Sequence, residues 1–195
     1  MNNSKLKKII KEKDLINKKL LINFSNIINI TKKISATIEN RATVFTCGNG
    51  GSAGDAQHIA AEGIVRLNPK KNRKPFPIIS LAMDTSTLTA CANDYGYKNI
   101  FSRPFEAMAK KNDLLICFST SGNSKNIINV LKKAKKLKVS SMSFLGGNGG
   151  EAKKYSNLSI IVPSKNVARI QEAHIFLGHY IFDEVERYLL KRKVI

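Results

Sequence analysis

The sequence lacks any apolar run long enough to cross a membrane. Of its 195 residues, 43% are hydrophobic and 24% are charged, which is ordinary for a soluble globular domain. Charges interrupt every stretch before the roughly 20 apolar residues that a span needs. The amino-terminal segment MNNSKLKKIIKEKDLINKK also has no small-residue cleavage site, which a secretion signal would require. We therefore expect one cytoplasmic domain, with a core large enough to fold without disulfides.

Cysteine is scarce in the sequence. Cys47, Cys91 and Cys117 are scattered and odd in number, a pattern that fits neither a disulfide framework nor a cysteine-rich zinc site. Two of them end or lie within the apolar runs TVFTC and LLICF, which are typical of buried strands. We expect the three cysteines to be small core residues.

Acidic residues are few, with 14 Asp and Glu against 33 Lys and Arg, and the formal net charge is +19. Such an excess can indicate a nucleic-acid-binding protein. Here the lysines are spread through helix-like segments such as LKKAKKLK, and no nucleic-acid-binding motif accompanies them. We expect a solvated basic surface that helps to attract anionic substrates, and we do not expect nucleic acid to be the main partner.

Apolar residues recur at helical spacing over the first 40 residues, and short β-favouring runs then alternate with helix-like segments. This alternation predicts an α/β fold, with a parallel sheet covered by helices on both faces and preceded by amino-terminal helices. We expect a helical region at 1–40, an α/β unit at 41–195 and an exposed loop at 68–77. The predicted strands are 43–47, 78–82, 114–118, 141–145 and 158–162, and the later predicted helices are about 56–67, 86–92, 124–138, 150–155 and 168–192.

The turn after the first predicted strand has the sequence CGNGGSAGD, residues 47–55. Its glycines let a ligand approach the backbone, and the free N–H groups of the following helix start favour an anion. The spacing Gly48-x-Gly50-x-x-Ala53 also fits a loose dinucleotide-binding fingerprint, but the acidic residue expected about 20 residues later is missing. A dinucleotide-binding protein is a weaker alternative, and a tight turn without a ligand is another.

The turn after the third predicted strand is STSGNS, residues 119–124. Four hydroxyl side chains and the unpaired amides of a helix start can surround a phosphate monoester. A helix cap alone would account for only one of these residues. Neither turn contains the GKS or GKT of a nucleoside triphosphatase. The sequence therefore predicts a site for a small phosphorylated metabolite beyond the carboxyl ends of the strands.

Two predicted helices carry the candidate acid, base and metal-binding groups. His58 and Glu62, four residues apart, would share one helix face. They suit a general base beside an imidazole or two metal ligands, although a surface polar pair has the same spacing. Gln171 and His179 lie about 12 Å apart along the last helix, so a shared site needs side chains that converge or a contribution from a second subunit. His174 is the alternative partner of Gln171 on the same face.

Together these motifs resemble those of the phosphoheptose isomerases in the sugar isomerase (SIS) superfamily. The similarity covers nearly the whole chain, through CGNGGSAGDAQHIAAE, CANDYGY, FSTSGNS, GGNGG and RIQEAHIFLGH. STSGNS alone is typical of SIS domains in general. Two other motifs are more specific for the phosphoheptose isomerases: GNGGS followed by His58 and Glu62, and RIQE-x-H-x4-H. The resemblance implies a three-layer α/β/α sandwich around a five-stranded parallel sheet. It also implies a homotetramer, with the helical region in its contacts and the sites near them.

The resemblance also implies a reaction and the residues that perform it. Glu62 would move a proton between C1 and C2 of sedoheptulose 7-phosphate through an enediol, and His179 would move the proton between the two oxygens. The product would be D-glycero-D-manno-heptose 7-phosphate, a precursor of bacterial surface glycans such as lipopolysaccharide or capsule. Zinc would be held by His58, Glu62, Gln171 and His179, where it would compete with the base for lone pairs. The implied phosphosugar contacts are Asn49, Gly50, Gly51, Ser52, Asn93, Asp94, Ser119, Thr120, Ser121, Ser124 and Gln171.

Two departures from the family and two alternative functions accompany this interpretation. Gly63 follows Glu62 inside a helix at a cost of about 1 kcal/mol relative to Ala, and we expect it to loosen the turn that presents the base. The charge of +19 is also higher than the family leads us to expect. One alternative is a non-catalytic SIS module that binds a sugar phosphate or a partner protein, such as a replication initiator. The other is a SIS isomerase or sensor for a pentose or hexose phosphate.

Overall fold

The computed structural model of the chain describes residues 3–195, and within them the chain forms five strands and seven α-helices. The strands are β1 (Val44–Gly48), β2 (Ile78–Ser80), β3 (Leu114–Ser119), β4 (Ser140–Gly146) and β5 (Leu158–Val162). The helices are α1 (Asn3–Leu21), α2 (Phe24–Glu39), α3 (Gly51–Ile64), α4 (Thr85–Tyr95), α5 (Ser102–Met108), α6 (Lys125–Lys136) and α7 (Val167–Lys191), with short 3-10 turns at Tyr97–Asn99 and Ala152–Lys154.

All five strands pair in parallel, in the order β2-β1-β3-β4-β5. Alternate strand residues face opposite sides of the sheet, and each side is covered by helices. Apolar residues of α1, α2, α3 and α7 pack on one face, and residues of α5 and α6 pack on the other. The predicted α/β/α sandwich around a five-stranded parallel sheet is therefore confirmed.

The helices differ from their predicted bounds in three places. α3 begins at Gly51, five residues earlier than predicted, because the glycine-rich segment has no apolar periodicity to reveal its first turn. α5 was not predicted, since it has only seven residues and just Ser102 and Phe105 are buried. The segment predicted as a helix at 150–155 forms only a 3-10 turn, Ala152–Lys154, because the chain must turn back there from β4 to β5 within a few residues. The amino-terminal region forms α1 and α2, in agreement with the predicted helices, and residues 1 and 2 lie outside the described residues. No helix in the described part of the chain is long and apolar enough to span a membrane.

The three cysteines are buried and free, as the sequence predicts. Cys47 and Cys117 face each other in register on β1 and β3, with their sulfur atoms 3.5 Å apart. Burial raises the pKa of the Cys117 thiol, and the neighbouring Cys47 raises it further. A neutral thiol in this position behaves as a small apolar side chain of the core.

The strand order places β1 between β2 and β3, so the chain leaves the neighbouring strands β1 and β3 in opposite directions across the sheet. The crevice beyond their carboxyl ends is the topological switch point, where ligands bind in open α/β sheets. Gly48 at the end of β1 is in register with Phe118 on β3. The two turns singled out in the sequence therefore leave the sheet side by side.

Gly63 lies where α3 packs most closely on β2. A methyl group on Gly63 would come within 2.6 Å of Ile78 Cγ2, a separation that real Cβ atoms do not adopt. The carbonyl of Gly63 accepts a hydrogen bond from the Phe76 amide at 3.0 Å. Packing therefore requires glycine at this position, and the turn is held in place, in contrast to the loosening that we expected from helix propensity.

Substituting Gly63 by alanine should therefore destabilise the protein, although alanine is the better helix former. We expect the free energy of unfolding to fall by about 1–3 kcal/mol, the usual cost of overpacking. Gly54, in the same helix, has open space where a methyl group would lie, with no atom within 4 Å. Gly54→Ala should therefore raise the free energy of unfolding by about 0.5–1 kcal/mol. Urea unfolding of both variants tests this, and a stabilising Gly63→Ala would contradict the packing argument.

His174 belongs to the core. Its side chain has no solvent exposure, and its ring centroid lies 6.1 Å from that of Phe118 and 6.0 Å from that of Phe144. The Nε2 atom lies 3.2 Å from the carbonyl oxygen of Leu145, which can only accept, so Nε2 carries the proton and donates it. Burial lowers the pKa of His174 to about 4. The residue is therefore a neutral core histidine at neutral pH.

This burial makes stability depend on pH. Between about pH 6.5 and 4 the unfolded chain binds a proton at His174 that the folded chain does not, so the free energy of unfolding falls as pH falls through this window. His174→Gln should reduce the loss of stability between pH 7.5 and pH 5 by about 2 kcal/mol. Urea unfolding of parent and variant at the two pH values measures it, and equal losses would show that His174 does not titrate this way.

Candidate functional site

The first turn links β1 to α3 through a glycine-rich backbone. A methyl group on Gly48 would lie 2.2 Å from the Ser52 carbonyl oxygen, so only glycine fits there. Gly50 has a φ of +54°, a region that favours glycine. The amides of Ser52 and Ala53 then donate to the carbonyls of Asn49 and Gly50, each at 3.0 Å. These contacts fold the turn tightly at the start of α3.

A pair of asparagines joins the first turn to the helix that follows the second turn. Asn49 Nδ2 donates to Asn126 Oδ1 at 2.9 Å, and Asn126 Nδ2 donates back to Asn49 Oδ1 at 2.7 Å. The Tyr97 hydroxyl also donates to Asn49 Oδ1, at 3.0 Å. Asn126 is only 1% exposed, so this pairing is internal. Sequence reasoning missed Asn126 because it lies beyond the STSGNS motif and has no spacing that marks it.

The second turn organises its own hydroxyl groups. Ser119 Oγ accepts from the Gly122 amide and Ser121 Oγ accepts from the Asn123 amide, both at 3.1 Å. Ser124 is the N-cap residue of α6, but its side chain makes no capping hydrogen bond. A capping role therefore does not account for the Ser124 hydroxyl, which remains available together with the first amides of α6.

The segment GGNGG at residues 146–150, at the end of β4, packs against the second turn. A methyl group on Gly122 would lie 2.1 Å from the Gly149 carbonyl oxygen, and one on Gly150 would lie 2.5 Å from the Ser121 carbonyl oxygen. The Ala152 amide donates to the Gly122 carbonyl at 2.8 Å. Backbone therefore packs directly on backbone here, which explains why glycines recur in both segments.

The helices α3 and α7 lie side by side and run in the same direction. A methyl group on Gly51 would lie 2.5 Å from Gln171 Nε2, and one on Gly178 would lie 2.7 Å from Ile59 Cδ1. Gly51 thus faces Gln171, and Ile59 faces Gly178, so the two helices keep a nearly constant register. The same register brings the polar residues His58 and His179 together.

His58, Glu62 and His179 form one polar cluster between these helices. The Nε2 atoms of the two histidines lie 2.8 Å apart, so one ring donates its proton to the other. His58 Nε2 lies 3.4 Å from Glu62 Oε1. His58 is exposed, whereas Glu62 and His179 are partly buried. The cluster is therefore open to solvent at His58, while Glu62 and His179 are partly shielded from bulk water.

The electrostatics of the cluster favour a neutral His179. Burial lowers its pKa, and proximity to His58 lowers it further, while the charge of Glu62 acts in the opposite direction. Asp55, one turn before His58, has its pKa raised to about 6 by burial, an effect that His58 partly offsets. A neutral imidazole next to a carboxylate can accept, donate or coordinate at neutral pH.

The three residues of the cluster could hold one metal ion. One ligand atom from each of His58, Glu62 and His179 lies within 4.8 Å of those of the other two. Two imidazoles and a carboxylate are a donor set that zinc accepts with a position left open for a substrate. Gln171 lies beside Gly51 instead, which precedes His58 by about 10 Å along α3. His174, the alternative on the same helix, lies in the core and does not reach the cluster.

Asn93 and Asp94 lie at the carboxyl end of α4, and both are exposed. The Asn93 side chain donates to Asp94 Oδ1 at 2.9 Å. The 3-10 turn that follows carries Tyr97, whose hydroxyl reaches Asn49 in the first turn. This contact connects the segment of Asn93 and Asp94 to the crevice at the switch point.

Comparison with known proteins agrees with this geometry. The family model described as the SIS domain matches residues 13–146. The chain is 51% identical over 151 residues to the phosphoheptose isomerase of Clostridium acetobutylicum, with 77% of this chain and 76% of that protein covered. It is 49% identical over 155 residues to the phosphoheptose isomerase of Helicobacter pylori strain Shi470, with 80% of each covered.

Solved structures lead to the same family. A phosphoheptose isomerase from Francisella tularensis superposes with a TM-score of 0.90 at 29% identity, covering 96% of this chain and 100% of that one. Its counterpart from Neisseria gonorrhoeae gives a TM-score of 0.87 at 31% identity, covering 94% and 98%. The predicted resemblance is confirmed, and the chain belongs to the SIS domain family and, within it, to the phosphoheptose isomerases.

Proposed function

We propose that the protein is an aldose–ketose isomerase that converts sedoheptulose 7-phosphate into D-glycero-D-manno-heptose 7-phosphate in the cytoplasm. The observation that carries this proposal is the cluster of Glu62, His58 and His179 between α3 and α7. The relatives at about half identity are named phosphoheptose isomerases, which supports the heptose as substrate. A non-catalytic SIS module would have no need for this cluster.

The second turn supplies the proposed phosphate site. The hydroxyl of Ser124, which makes no capping hydrogen bond, and the first amides of α6 directly follow Ser119, Thr120 and Ser121 in the same turn. Hydrogen bonds from hydroxyls and helix-start amides suit a phosphate dianion. The remaining sugar contacts that we propose are Asn49, Gly50, Gly51, Ser52, Asn93, Asp94 and Gln171.

The proposed reaction moves one proton between carbons and one between oxygens. The Glu62 carboxylate takes a proton from C1 of the ketose, which leaves an enediol, and returns it to C2. The neutral ring of His179 takes the proton of the O1 hydroxyl and delivers it to O2, so that O1 becomes the aldehyde oxygen. The lowered pKa of His179 keeps the ring unprotonated at neutral pH, so it can accept this proton. Each such group typically contributes about 10²–10⁴-fold to the rate.

Zinc is the metal that we propose for the cluster, held by His58, Glu62 and His179; the predicted fourth ligand, Gln171 of the same chain, lies beside Gly51 and away from the cluster. When bound, zinc would polarise the carbonyl and hydroxyl oxygens of the sugar. Because Glu62 is both a proposed ligand and the proposed base, its lone pairs are shared between the two roles. The contact of Gln171 with Gly51 also places its carboxamide next to the proposed sugar site.

The amino-terminal helices support the proposed homotetramer. Leu21 and Phe24, from the end of α1 and the start of α2, expose 70% and 44% of their surface and line one groove with Phe176 and Tyr180 of α7. Exposed apolar patches of this kind mark contacts between proteins. Phe176 and Tyr180 also line the open cleft that contains His179. A second copy docked on this groove would therefore approach the catalytic cluster.

Glu62→Gln tests the proposed function. The amide cannot take a proton from carbon, so we expect kcat for sedoheptulose 7-phosphate to fall by at least about 10²-fold, while the sugar phosphate still binds. The assay detects the aldose product and includes a pentulose and a hexulose phosphate, which the parent protein should convert poorly or not at all.

The matched control for this variant is Glu184→Gln, on the outer side of α7, where the carboxylate pairs with Arg187. It should leave turnover unchanged. Near-normal turnover by Glu62→Gln would rule out the proposed base, and a parent protein that prefers the pentulose or hexulose phosphate would rule out the proposed substrate.

A further inference from the structure

One arginine lies buried in the loop between α3 and β2. The Lys- and Pro-rich composition of residues 68–77 predicted an exposed loop, yet the side chain of Arg73 is 1% exposed and Phe76 is 3% exposed. The prediction is therefore wrong for these two residues. A buried guanidinium always carries its charge, so its partners decide what it does.

Arg73 donates to three different parts of the fold. Its Nε donates to Glu186 Oε2 at 2.7 Å, and its Nη2 donates to the Glu62 carbonyl at 2.8 Å. Its Nη1 donates to the carbonyls of Gly63 at 2.9 Å and Lys74 at 3.0 Å. The guanidinium carbon lies 3.8 Å from the centre of the Phe76 ring. The planar fork of arginine is the side chain that can satisfy acceptors in several directions at once.

These contacts join the two helices of the catalytic cluster. Glu62 and Gly63 are in the last turn of α3, where helix carbonyls have no partner within the helix and a cation is favourable. Glu186 is on α7, two turns beyond His179 and on the same face. The guanidinium therefore ties the backbone of the proposed base to the helix that carries the proposed proton shuttle.

Stability alone gives a weak reason for this pair. Glu186 has no exposure, its Oε1 atom has no hydrogen-bond partner within residues 3–195, and the nearest further cation is Lys71, with its Nζ 3.8 Å away. The free energy needed to take two charges out of water cancels most of the free energy gained from their attraction. Replacing a buried ion pair with apolar side chains is therefore often neutral or stabilising. The distinctive contribution of Arg73 is its set of directed hydrogen bonds to the end of α3.

We propose that Arg73, held in place by Glu186, is a positioning residue for the isomerisation. It fixes the last turn of α3 against α7 and thereby sets the placement of the Glu62 carboxylate relative to His179 and the sugar. The inference rests on the proposed roles of Glu62 and His179. Since a misplacement of about 1 Å can cost about 10²-fold in rate, the loss of these bonds should act on kcat. Substrate affinity should change little, because the proposed phosphate site lies on the other turn.

Two variants separate positioning from stability. The double variant Arg73→Met, Glu186→Leu replaces the ion pair with apolar side chains but removes the bonds to the Glu62 and Gly63 carbonyls. Arg73→Lys keeps the charge but has no planar fork. The matched control is Arg187→Met, Glu184→Leu, which removes an exposed ion pair of 2.7 Å from the same helix.

The experiment measures kcat and KM for sedoheptulose 7-phosphate together with the urea unfolding midpoint. We expect the double variant to unfold at or above the midpoint of the parent, with kcat reduced about 10- to 100-fold and KM within about twofold. Arg73→Lys should show the same split between kcat and KM, and the control should match the parent in all three quantities.

A stable double variant with the kcat of the parent would overturn the inference. If the double variant fails to fold, Arg73→Lys decides: a lowered kcat with unchanged KM supports positioning, and a parental kcat, or a loss confined to KM, contradicts it. Turnover by Glu62→Gln would instead mean that the proposed base is wrong. If Glu62→Gln is inactive and the Arg73 variants are fully active, the positioning role of Arg73 is wrong while the proposed base stands.

Discussion

The close packing of α3 against α7 is the contact on which the proposed site depends. Gly178 has no side chain, and a methyl group there would lie 2.7 Å from Ile59 Cδ1. The helices can therefore approach until the Nε2 atoms of His58 and His179 are 2.8 Å apart. Arg73 joins the same two helices further along. Two ordinary helix surfaces become a cluster of acid, base and metal-binding groups because their axes are held this close.

The sheet contributes the other half of the site. Its strand order puts the ends of β1 and β3 next to each other, and the reciprocal Asn49–Asn126 hydrogen bonds hold the turns that follow them. The second turn offers hydroxyls and amides that suit a phosphate, a capability shared by any SIS domain. We propose that Glu62 and His179 determine the reaction, and the named relatives support a heptose as the substrate.

The sequence predicted the sheet well because each buried strand is a short apolar run between turn residues, as at LLICF before STSGNS. It also predicted the family through motifs whose residues are close in sequence. It kept His174 as the alternative partner of Gln171, because both histidines lie on the last helix and only the register between α3 and α7 shows that His179 meets His58. It missed the burial of Arg73, because a Lys- and Pro-rich loop is the usual sign of exposure and the partner Glu186 is far away in sequence.

The most direct measurement of the helix contact is kcat for sedoheptulose 7-phosphate in Gly178→Ala and in Gly178→Ala combined with Ile59→Val. The added methyl group should push α7 from α3 and lower kcat by about 10-fold or more. Removing the Ile59 Cδ1 atom should make room for that methyl group and restore much of the lost turnover. A Gly178→Ala variant with the kcat of the parent would contradict the claim that this contact assembles the site.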